Sequence, residues 1–252
     1  MSLRRLLPAV LAAFAALPAT ASAATSSNWA GYAVHRSGVR FRSVSASWTV
    51  PAVDCTSGRA FSAAWVGLGG YHTNAAALEQ AGTEADCSAS GNPRYSAWYE
   101  LVPQPSHTLN LTVAAGDKVS VRVGVSGRRV TIRLRDITSG ASFTRRLTAS
   151  AVDTTSAEWI VEAPSACVGN RCRVLPLATF ADTTFTSARA TSTTGHTGTI
   201  SDPLWARTAI DLAPDSGGPQ FGGARGPETA GAASASTGAL SASGGSFTVT
   251  AT

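Results

Sequence analysis

The chain has 252 residues, a formal net charge of +5 and a hydrophobic fraction of 44%. This length is sufficient for one large all-β domain with a sizeable core. Nearly all of the basic residues are arginines, and no basic run alternates with aromatic residues. The composition therefore gives no indication of nucleic-acid binding.

The first 23 residues are predicted to be a secretory signal peptide. Arg4 and Arg5 form a basic start, residues 6–17 an apolar run, and residues 21–23 a small-residue cleavage site. The apolar run is short for a bilayer span, so a membrane anchor is the weaker alternative. We expect a secreted mature chain without stable membrane association, whose net charge falls from +5 to +3 because two arginines are lost.

The rest of the chain, residues 24–252, is predicted to form a single all-β domain. Short runs rich in Val, Thr, Trp and Phe are separated by Gly, Ser, Pro and Asp, and many of them recur at intervals typical of a sandwich or closed sheet. Residues 213–245, rich in Gly, Ala, Ser and Pro, are predicted to be a long flexible loop, and residues 246–252 a closing strand. The other predicted strands are 29–34, 44–50, 60–67, 75–80, 96–101, 109–113, 118–125, 129–136, 142–147, 157–162, 175–180 and 208–212.

One of these strands carries two carboxylates on the same face. With a period of two, Trp159 and Val161 would pack on a core, and Glu158 and Glu162 would lie about 13 Å apart on the opposite face at roughly 3.3 Å per residue. Such a face is more often solvated, but it can also line a cleft. The pattern alone does not distinguish these two possibilities.

Four cysteines in an exported chain are expected to form disulfides. Cys167 and Cys172 flank a tight turn and would pair locally, in which case Cys55 would pair with Cys87. Four cysteines allow three connectivities, however, and the sequence alone selects none of them. A metal site is a weak alternative because no pair has the Cys-x-x-Cys spacing. We expect neither a metal nor another cofactor.

Five stretches, taken in order, resemble motifs of the glutamic peptidase (eqolisin) family. Each is weak alone, but their order and spacing make the match fairly specific. A turn between two cysteines and a strand at 174–180 follow the last motif, as in that family. The five stretches are Asn-Trp-Ala-Gly-Tyr (28–32), Ala-Trp-Val-Gly-Leu-Gly-Gly (64–70), Leu-Glu-Gln-Ala-Gly (78–82), Ala-Trp-Tyr-Glu (97–100) and Ala-Glu-Trp-Ile-Val-Glu (157–162).

This resemblance implies a sandwich of two large antiparallel sheets, concanavalin-A-like in shape, with a substrate cleft on the concave sheet. By motif position, the catalytic glutamine is Gln80 and the catalytic glutamate is Glu162 rather than Glu158. Glu158 would then lie at the rim of the cleft or pair with an arginine. The implied substrate contacts are Trp65, Trp98, Tyr99 and Glu100.

Glutamate and glutamine suit the hydrolysis of a peptide bond. An ionised Glu162 could accept a proton from water and later donate it to the leaving nitrogen. The amide of Gln80 could hold the water and stabilise the tetrahedral oxygen, so no covalent intermediate is needed. We therefore expect a monomeric endopeptidase acting on polypeptides. Without the resemblance, a surface glutamine and a solvated glutamate would be the ordinary interpretation of these two residues.

The chain departs from the fungal family pattern at two positions. Gly69 and Ser96 stand where acidic residues are usual. Fewer neighbouring carboxylates should raise the pKa of Glu162 less through like-charge repulsion. We expect an enzyme still active in acid, with an optimum less extreme than that of its fungal relatives.

Two other functions compete with this interpretation. Residues 215–219 (Asp-Ser-Gly-Gly-Pro) resemble the nucleophile segment of trypsin-like serine peptidases, with Ser216 as nucleophile, but they lie in low-complexity sequence and no histidine has the matching flanks. A secreted glycan-binding module could use paired tryptophans on a concave sheet. Glycan binding, however, has no need for the pair of Gln80 and Glu162.

Overall fold

A computed structural model describes residues 23–72, 74–168, 171–214, 219–221 and 233–252. Within these ranges the chain forms β-strands and no α-helix, and so contains no helix able to span a membrane. The strands are β1 (Ala24–Ser26), β2 (Trp29–His35), β3 (Phe41–Thr49), β4 (Val53–Asp54), β5 (Ala63–Gly69), β6 (Leu78–Cys87), β7 (Pro93–Val102), β8 (His107–Thr108), β9 (Lys118–Ser126), β10 (Arg129–Asp136), β11 (Ser142–Thr148), β12 (Ser156–Glu162), β13 (Ser165–Val168), β14 (Arg171–Val174), β15 (Thr179–Phe180), β16 (Thr183–Ser192), β17 (Thr197–Gly198), β18 (Ala206–Leu212), β19 (Ala235–Thr237) and β20 (Phe247–Ala251).

Most of these strands belong to one curled sheet that packs against itself as a sandwich. Its order is β11-β10-β9-β3-β16-β20-β19-β18-β2-β12-β5-β6-β7-β8, with antiparallel pairing along this path. We call β18, β2, β12, β5, β6 and β7 the front layer, and β16, β3, β9, β10 and β11 the back layer. The two layers contact each other through strands such as β3 with β5 and β9 with β6. The predicted all-β sandwich is confirmed, and β19 and β20 connect its two layers into one sheet.

The main core lies between the two layers and contains the inward-facing side chains of both. Trp159 of β12 is fully buried there and donates its indole N–H to the backbone oxygen of Ser45 at 3.0 Å. Trp48 of β3 is equally buried and donates to Thr83 Oγ1 of β6 at 3.0 Å. Each indole N–H therefore has a partner on the opposite layer, as buried polar groups require.

A second apolar cluster covers the other face of the front layer. It contains Trp29, Trp65, Trp98, Leu78, Ile160 and Phe221, with Tyr71 and Val102 packed against it. Because the front layer is covered on both faces, six of the seven residues of β12 are buried and only Glu162 is partly exposed. A strand buried on both faces does not show the simple alternation of an amphipathic strand.

Glycine is required at two positions in this doubly covered layer. A Cβ on Gly31, which has a φ of +142°, would lie 2.1 Å from the backbone oxygen of Trp159. A Cβ on Gly82 would lie 2.1 Å from the backbone oxygen of Ala64. Both glycines belong to the five motif stretches, so these motifs also encode close packing between strands.

Several predicted strands are confirmed, and others are wrong. Residues 129–136 match β10 from end to end, and the predicted closing strand contains β20. Residues 109–113 bury Leu109, Leu111 and Val113 but form no strand. Residues 175–180 contain only the two-residue β15, and the predicted strand at 75–80 begins at Leu78 as β6 and continues to Cys87. The ten-residue β16 was not predicted.

The described part of segment 213–245 is not simply an exposed loop. Strand β19 pairs with both β18 and β20, and Phe221 is buried in the second cluster. The structure also contains the disulfides Cys55–Cys87 and Cys167–Cys172, which confirms the pairing considered from the sequence.

Candidate active site

Glu162 is the last residue of β12 and lies between Trp29 of β2 and Ala63 of β5. Its side chain is partly buried. Trp65 donates its indole N–H to Glu162 Oε2 at 2.8 Å, and Asn28 donates its side-chain N–H to Oε1 at 3.2 Å. Both carboxyl oxygens therefore have a donor that fixes their direction.

Burial is the main cause that raises the pKa of Glu162, which reaches about 8. The nearby charge of Glu100 raises it further, while the N–H groups of Trp65, Trp29 and Asn28 lower it by favouring the ionised form. The indole N–H of Trp29 makes no hydrogen bond of normal geometry, so we assign the larger stabilising role to Trp65. Glu162 is thus protonated throughout the acidic range.

Gln80 and Glu100 face each other across the pairing of β6 with β7. Gln80 Nε2 donates to Glu100 Oε2 at 2.6 Å, while Gln80 Oε1 is buried and accepts no hydrogen bond. Burial raises the pKa of Glu100, and the hydrogen bond from Gln80 opposes this effect. A buried acceptor without a donor costs folding free energy. Gln80 Oε1 can therefore accept a hydrogen bond from water or substrate.

Strand register places the predicted catalytic residues on the same face of the front layer. Gln80 and Glu100 form one cross-strand row, Trp65 lies in the neighbouring row with Trp98, and Glu162 lies beyond it. Within the described residues no hydrogen bond joins Gln80 to Glu162. Glu100 connects them instead, since it binds Gln80 and its charge acts on Glu162.

The two predicted cleft tryptophans are more deeply buried than expected. Trp65 is fully buried with its ring edge-on to Trp29 at 4.9 Å, and Trp98 is 5% exposed with no partner for its indole N–H. Both side chains therefore form the floor beneath the carboxylates.

The prediction that Tyr99 contacts the substrate is wrong. Tyr99 pairs with Ala81 and points into the main core, and one face of its ring stacks on the exposed His107 of β8 with ring centroids 5.1 Å apart. Successive residues of a strand point to opposite faces, so Tyr99 cannot share the face of Trp98 and Glu100.

Asn28 belongs to the first motif, but its role was not predicted from the sequence. It is fully buried, and its Oδ1 accepts hydrogen bonds from Ser26 Oγ and from the backbone N–H of Phe221. Its Nδ2 donates to the backbone oxygen of Phe221 and to Glu162. Phe221 in turn packs on Trp29 with ring centroids 5.1 Å apart. The sequence feature that could have identified Asn28 is its position: a polar residue directly before a strand that is buried along most of its length.

The sequence from residue 27 to residue 216 matches the Peptidase A4 family. The chain belongs to this family, the glutamic peptidases or eqolisins. It is therefore a glutamic-type endopeptidase. No significant similarity to a curated protein sequence was found.

Solved glutamic peptidases have the same fold. Scytalido-glutamic peptidase, solved with a transition-state analogue inhibitor, has a TM-score of 0.70 and 25% identity, covering 90% of this chain and 98% of that chain. Aspergilloglutamic peptidase from Aspergillus niger has a TM-score of 0.57 and 29% identity, with 77% and 99% covered. SCP-B, an eqolisin solved with the tripeptide Ala-Ile-His, has a TM-score of 0.65 and 24% identity, with 90% and 98% covered.

A second group of carboxyl groups is buried beside the active-site face of this glutamic peptidase. Glu158 lies between Ala33 and Gly67, is fully buried, and has no hydrogen-bond partner on either carboxyl oxygen. The expectation that Glu158 lies at a rim or pairs with an arginine is therefore wrong. Burial raises the pKa of Glu158 well above its usual range, and the charges of Asp153 and Glu79 act in the same direction. The nearby Ser156 hydroxyl opposes this effect, but it makes no hydrogen bond of normal geometry to Glu158, so burial dominates.

Glu79 and Asp153 complete this group. Glu79 is fully buried, accepts a hydrogen bond from the backbone N–H of Asp153 at 3.4 Å, and has a pKa raised to about 8, mainly by burial. A Cβ on Gly69 would lie 2.5 Å from the Cβ of Asp153, so Asp153 fills the space beside that glycine. Across the described residues, no group of three or more His, Cys, Asp or Glu is arranged to hold a metal ion. Ser216, the nucleophile of the rival serine-peptidase hypothesis, lies outside the described residues.

Removal of the Trp65 indole N–H should raise the pKa of Glu162 still further. Trp65→Phe keeps an aromatic ring but deletes the 2.8 Å hydrogen bond to Oε2. A hydrogen bond to a charged group contributes about 1.5–3 kcal/mol, and one pKa unit corresponds to about 1.4 kcal/mol, so we expect an increase of about one unit or more. The measurement is a carbon-13 NMR titration of the Glu162 carboxyl.

Trp98→Phe is the matched control, because the indole N–H of Trp98 has no partner. We expect no change in the pKa of Glu162 in this variant. An equal increase in both variants would show that ring size, rather than the hydrogen bond, determines the pKa.

The buried acids should make the fold most stable in acid. The folded-state pKa values of Glu158 and Glu79 lie above their unfolded values, so their contribution is complete below the unfolded pKa and is lost as pH rises toward the folded pKa. We expect Tm to fall between about pH 5 and pH 8, and to fall less steeply in Glu158→Gln. Thermal melting measures this slope, with the exposed Asp182→Asn as control. An unchanged slope in Glu158→Gln would contradict the assignment.

Proposed function

We propose that this glutamic peptidase is a secreted endopeptidase active in acid, in which Glu162 and Gln80 act directly on the peptide bond. The observation that supports this best is the position of Glu162. Its carboxyl group is held by Trp65 on the same face as the pair of Gln80 and Glu100, with a pKa raised to about 8. A strongly perturbed carboxyl group among convergent polar groups is typical of a catalytic acid or base.

Glu162 can act as both a general acid and a general base in this reaction. In acid the resting group is protonated, so Glu162 first donates its proton to the carbonyl oxygen of the scissile bond while water attacks the carbonyl carbon. The resulting carboxylate accepts a proton from the attacking water. Glu162 therefore ends the step protonated and can donate again to the leaving nitrogen. The raised pKa thus reverses the order expected from the sequence, in which an ionised Glu162 would act first.

Gln80 supplies neutral polar groups on either side of the reacting centre. One N–H of its amide is held by Glu100, which fixes the plane of the amide group. We propose that its second N–H stabilises the partial negative charge on the same oxygen before proton transfer from Glu162 is complete, and that Oε1 orients the attacking water. Glu100 would then be a positioning residue for Gln80 and a partner for substrate N–H groups.

The tryptophans have different proposed roles. Trp65 is fully buried and acts on the carboxyl group of Glu162, whereas Trp98, which is 5% exposed, would support an extended polypeptide substrate from the floor of the cleft. Two disulfides within the described residues suit the oxidising conditions outside the cell. Residues 1–22 of the predicted signal peptide lie outside those residues, and secretion as a monomer remains a proposal.

Substitution of either catalytic residue should abolish most of the activity without unfolding the protein. We expect kcat to fall about 10²–10³-fold in Gln80→Ala, through loss of an oxyanion donor, and about 10²–10⁴-fold in Glu162→Gln, through loss of proton transfer. The measurement is cleavage of a denatured protein and of a peptide at about pH 4, with melting curves to confirm folding.

Gln104→Ala and Asp182→Asn make comparable chemical changes at exposed positions and serve as controls. We expect near-wild-type rates in both. If Glu162→Gln or Gln80→Ala kept such rates, the proposed dyad would be wrong. Inhibition of the parent enzyme by a serine-directed covalent reagent would instead support Ser216.

A further inference from the structure

The back layer presents a surface of exposed arginines on the side away from the main core. The outward positions of β3, β9, β10 and β11 carry only Arg, Lys, Ser, Thr and Gly, with no carboxylate and no aromatic side chain. We call this surface the basic face. Its charged members, together with one arginine of β16, are Lys118, Arg122, Arg129, Arg133, Arg135, Arg146 and Arg189.

Like charges lie directly opposite each other on this face. Arg122 of β9 pairs across the strands with Arg133 of β10, and Arg122 is also paired with Ser45, whose other neighbour is Arg189. Directly opposed like charges destabilise a sheet. The one ion pair formed within the described residues joins His196 to Asp202, so no carboxylate compensates these arginines. An external anion bound between these arginines would offset their mutual repulsion.

Two adjoining grooves lie among these charged side chains. The first is lined by Arg42, Arg129 and Ser43 and the second by Arg135, Ser142 and Thr144, and Arg122 and Arg133 line both grooves. Leu134, Ile137 and Phe143 form the apolar part of the second groove. Arg122 is oriented by donating from Nη2 to Ser43 Oγ at 2.8 Å. Guanidinium groups bind tetrahedral anions through paired N–H groups, and the neighbouring hydroxyls can donate as well.

The distribution of charge over the molecule favours a strong-acid partner. The buried Glu79 and Glu158 and the partly buried Glu100 and Glu162 all lie on the front layer. Burial raises the pKa of each of these groups and so disfavours their charged form in acid, whereas arginine keeps its charge at every relevant pH. Polymers with carboxylates lose charge in acid, but sulfate and phosphate esters do not. This step rests on the proposed acid activity, whereas the geometry of the basic face does not.

We propose that the basic face binds a polysaccharide bearing sulfate or phosphate esters. Strong binding of single-stranded nucleic acid relies on several aromatic side chains on which successive bases stack. The two grooves have one aromatic residue, Phe143, whose ring packs against the main core. Because the basic face lies on the back layer and Glu162 on the front layer, a bound polymer would leave the active site accessible. The interaction would hold the peptidase on an anionic matrix while it cleaves polypeptides.

The test is a binding titration of the mature chain with dextran sulfate, phosphorylated mannan and neutral dextran at about pH 4 and several salt concentrations. We expect salt-sensitive binding to an anionic polymer and none to neutral dextran. Arg122→Ser combined with Arg133→Ser should weaken binding roughly tenfold or more, since each basic residue contributes a few-fold to attraction by an anionic surface. The tighter of the two anionic polymers identifies the preferred ester.

Arg59→Ser combined with Arg94→Ser is the matched control, because it removes the same charge from exposed sites outside the basic face. We expect a change of less than about threefold in this control and unchanged cleavage of a soluble peptide in both double variants. Arg129→Ser combined with Arg135→Ser provides a second test if the first pair affects folding. Equal weakening by the control, no binding to either anionic polymer at low salt, or tighter binding to single-stranded DNA of equal charge would overturn the proposal.

Discussion

The carboxyl group of Glu162 is buried beside two indole rings at the end of a strand, and the rest of the site depends on this constraint. Removal of water disfavours its ionised form, while the hydrogen bond from Trp65 limits the increase in pKa to about 8. The two effects together give a group that is protonated in acid and that still becomes an oriented base once its proton has left. Asn28 donates to both Glu162 and the backbone oxygen of Phe221, so the orientation of the carboxyl group also depends on the position of Phe221.

The front layer can provide this environment because both of its faces are covered. Gly31 and Gly82 permit neighbouring backbones and side chains to approach more closely than any Cβ would allow. The same coverage buries Glu158 and Glu79, which therefore require acid to remain neutral. Activity and stability are thus expected to depend on pH in the same direction, through different carboxyl groups. The basic face, on the opposite layer, keeps its charge throughout this range.

The sequence predicts those parts of the fold in which a single face of a strand is buried. Strand β10 alternates apolar residues with arginine and was predicted from end to end, whereas β16 was missed because a bulge near Ser187, with a φ of +54°, interrupts its alternation. The motifs identified Gln80 and Glu162 only by position. They could not show that Glu158 is buried, because the pattern of β12 is equally compatible with a solvated face. They also gave no measure of burial, which raises the pKa of Glu162 more than neighbouring carboxylates do.

The most direct test of a protonated Glu162 is the pH dependence of kcat/KM for an uncharged peptide in the wild type and in Glu100→Gln. We predict a plateau in acid and a fall as pH rises through the pKa of Glu162, near 8. Glu100→Gln removes a neighbouring negative charge, so its descending limb should lie at lower pH, whereas the limb of Glu84→Gln should not move. A descending limb at the same pH in Glu100→Gln, or a rate that increases from acid to a maximum above pH 8, would contradict the proposed role of Glu162.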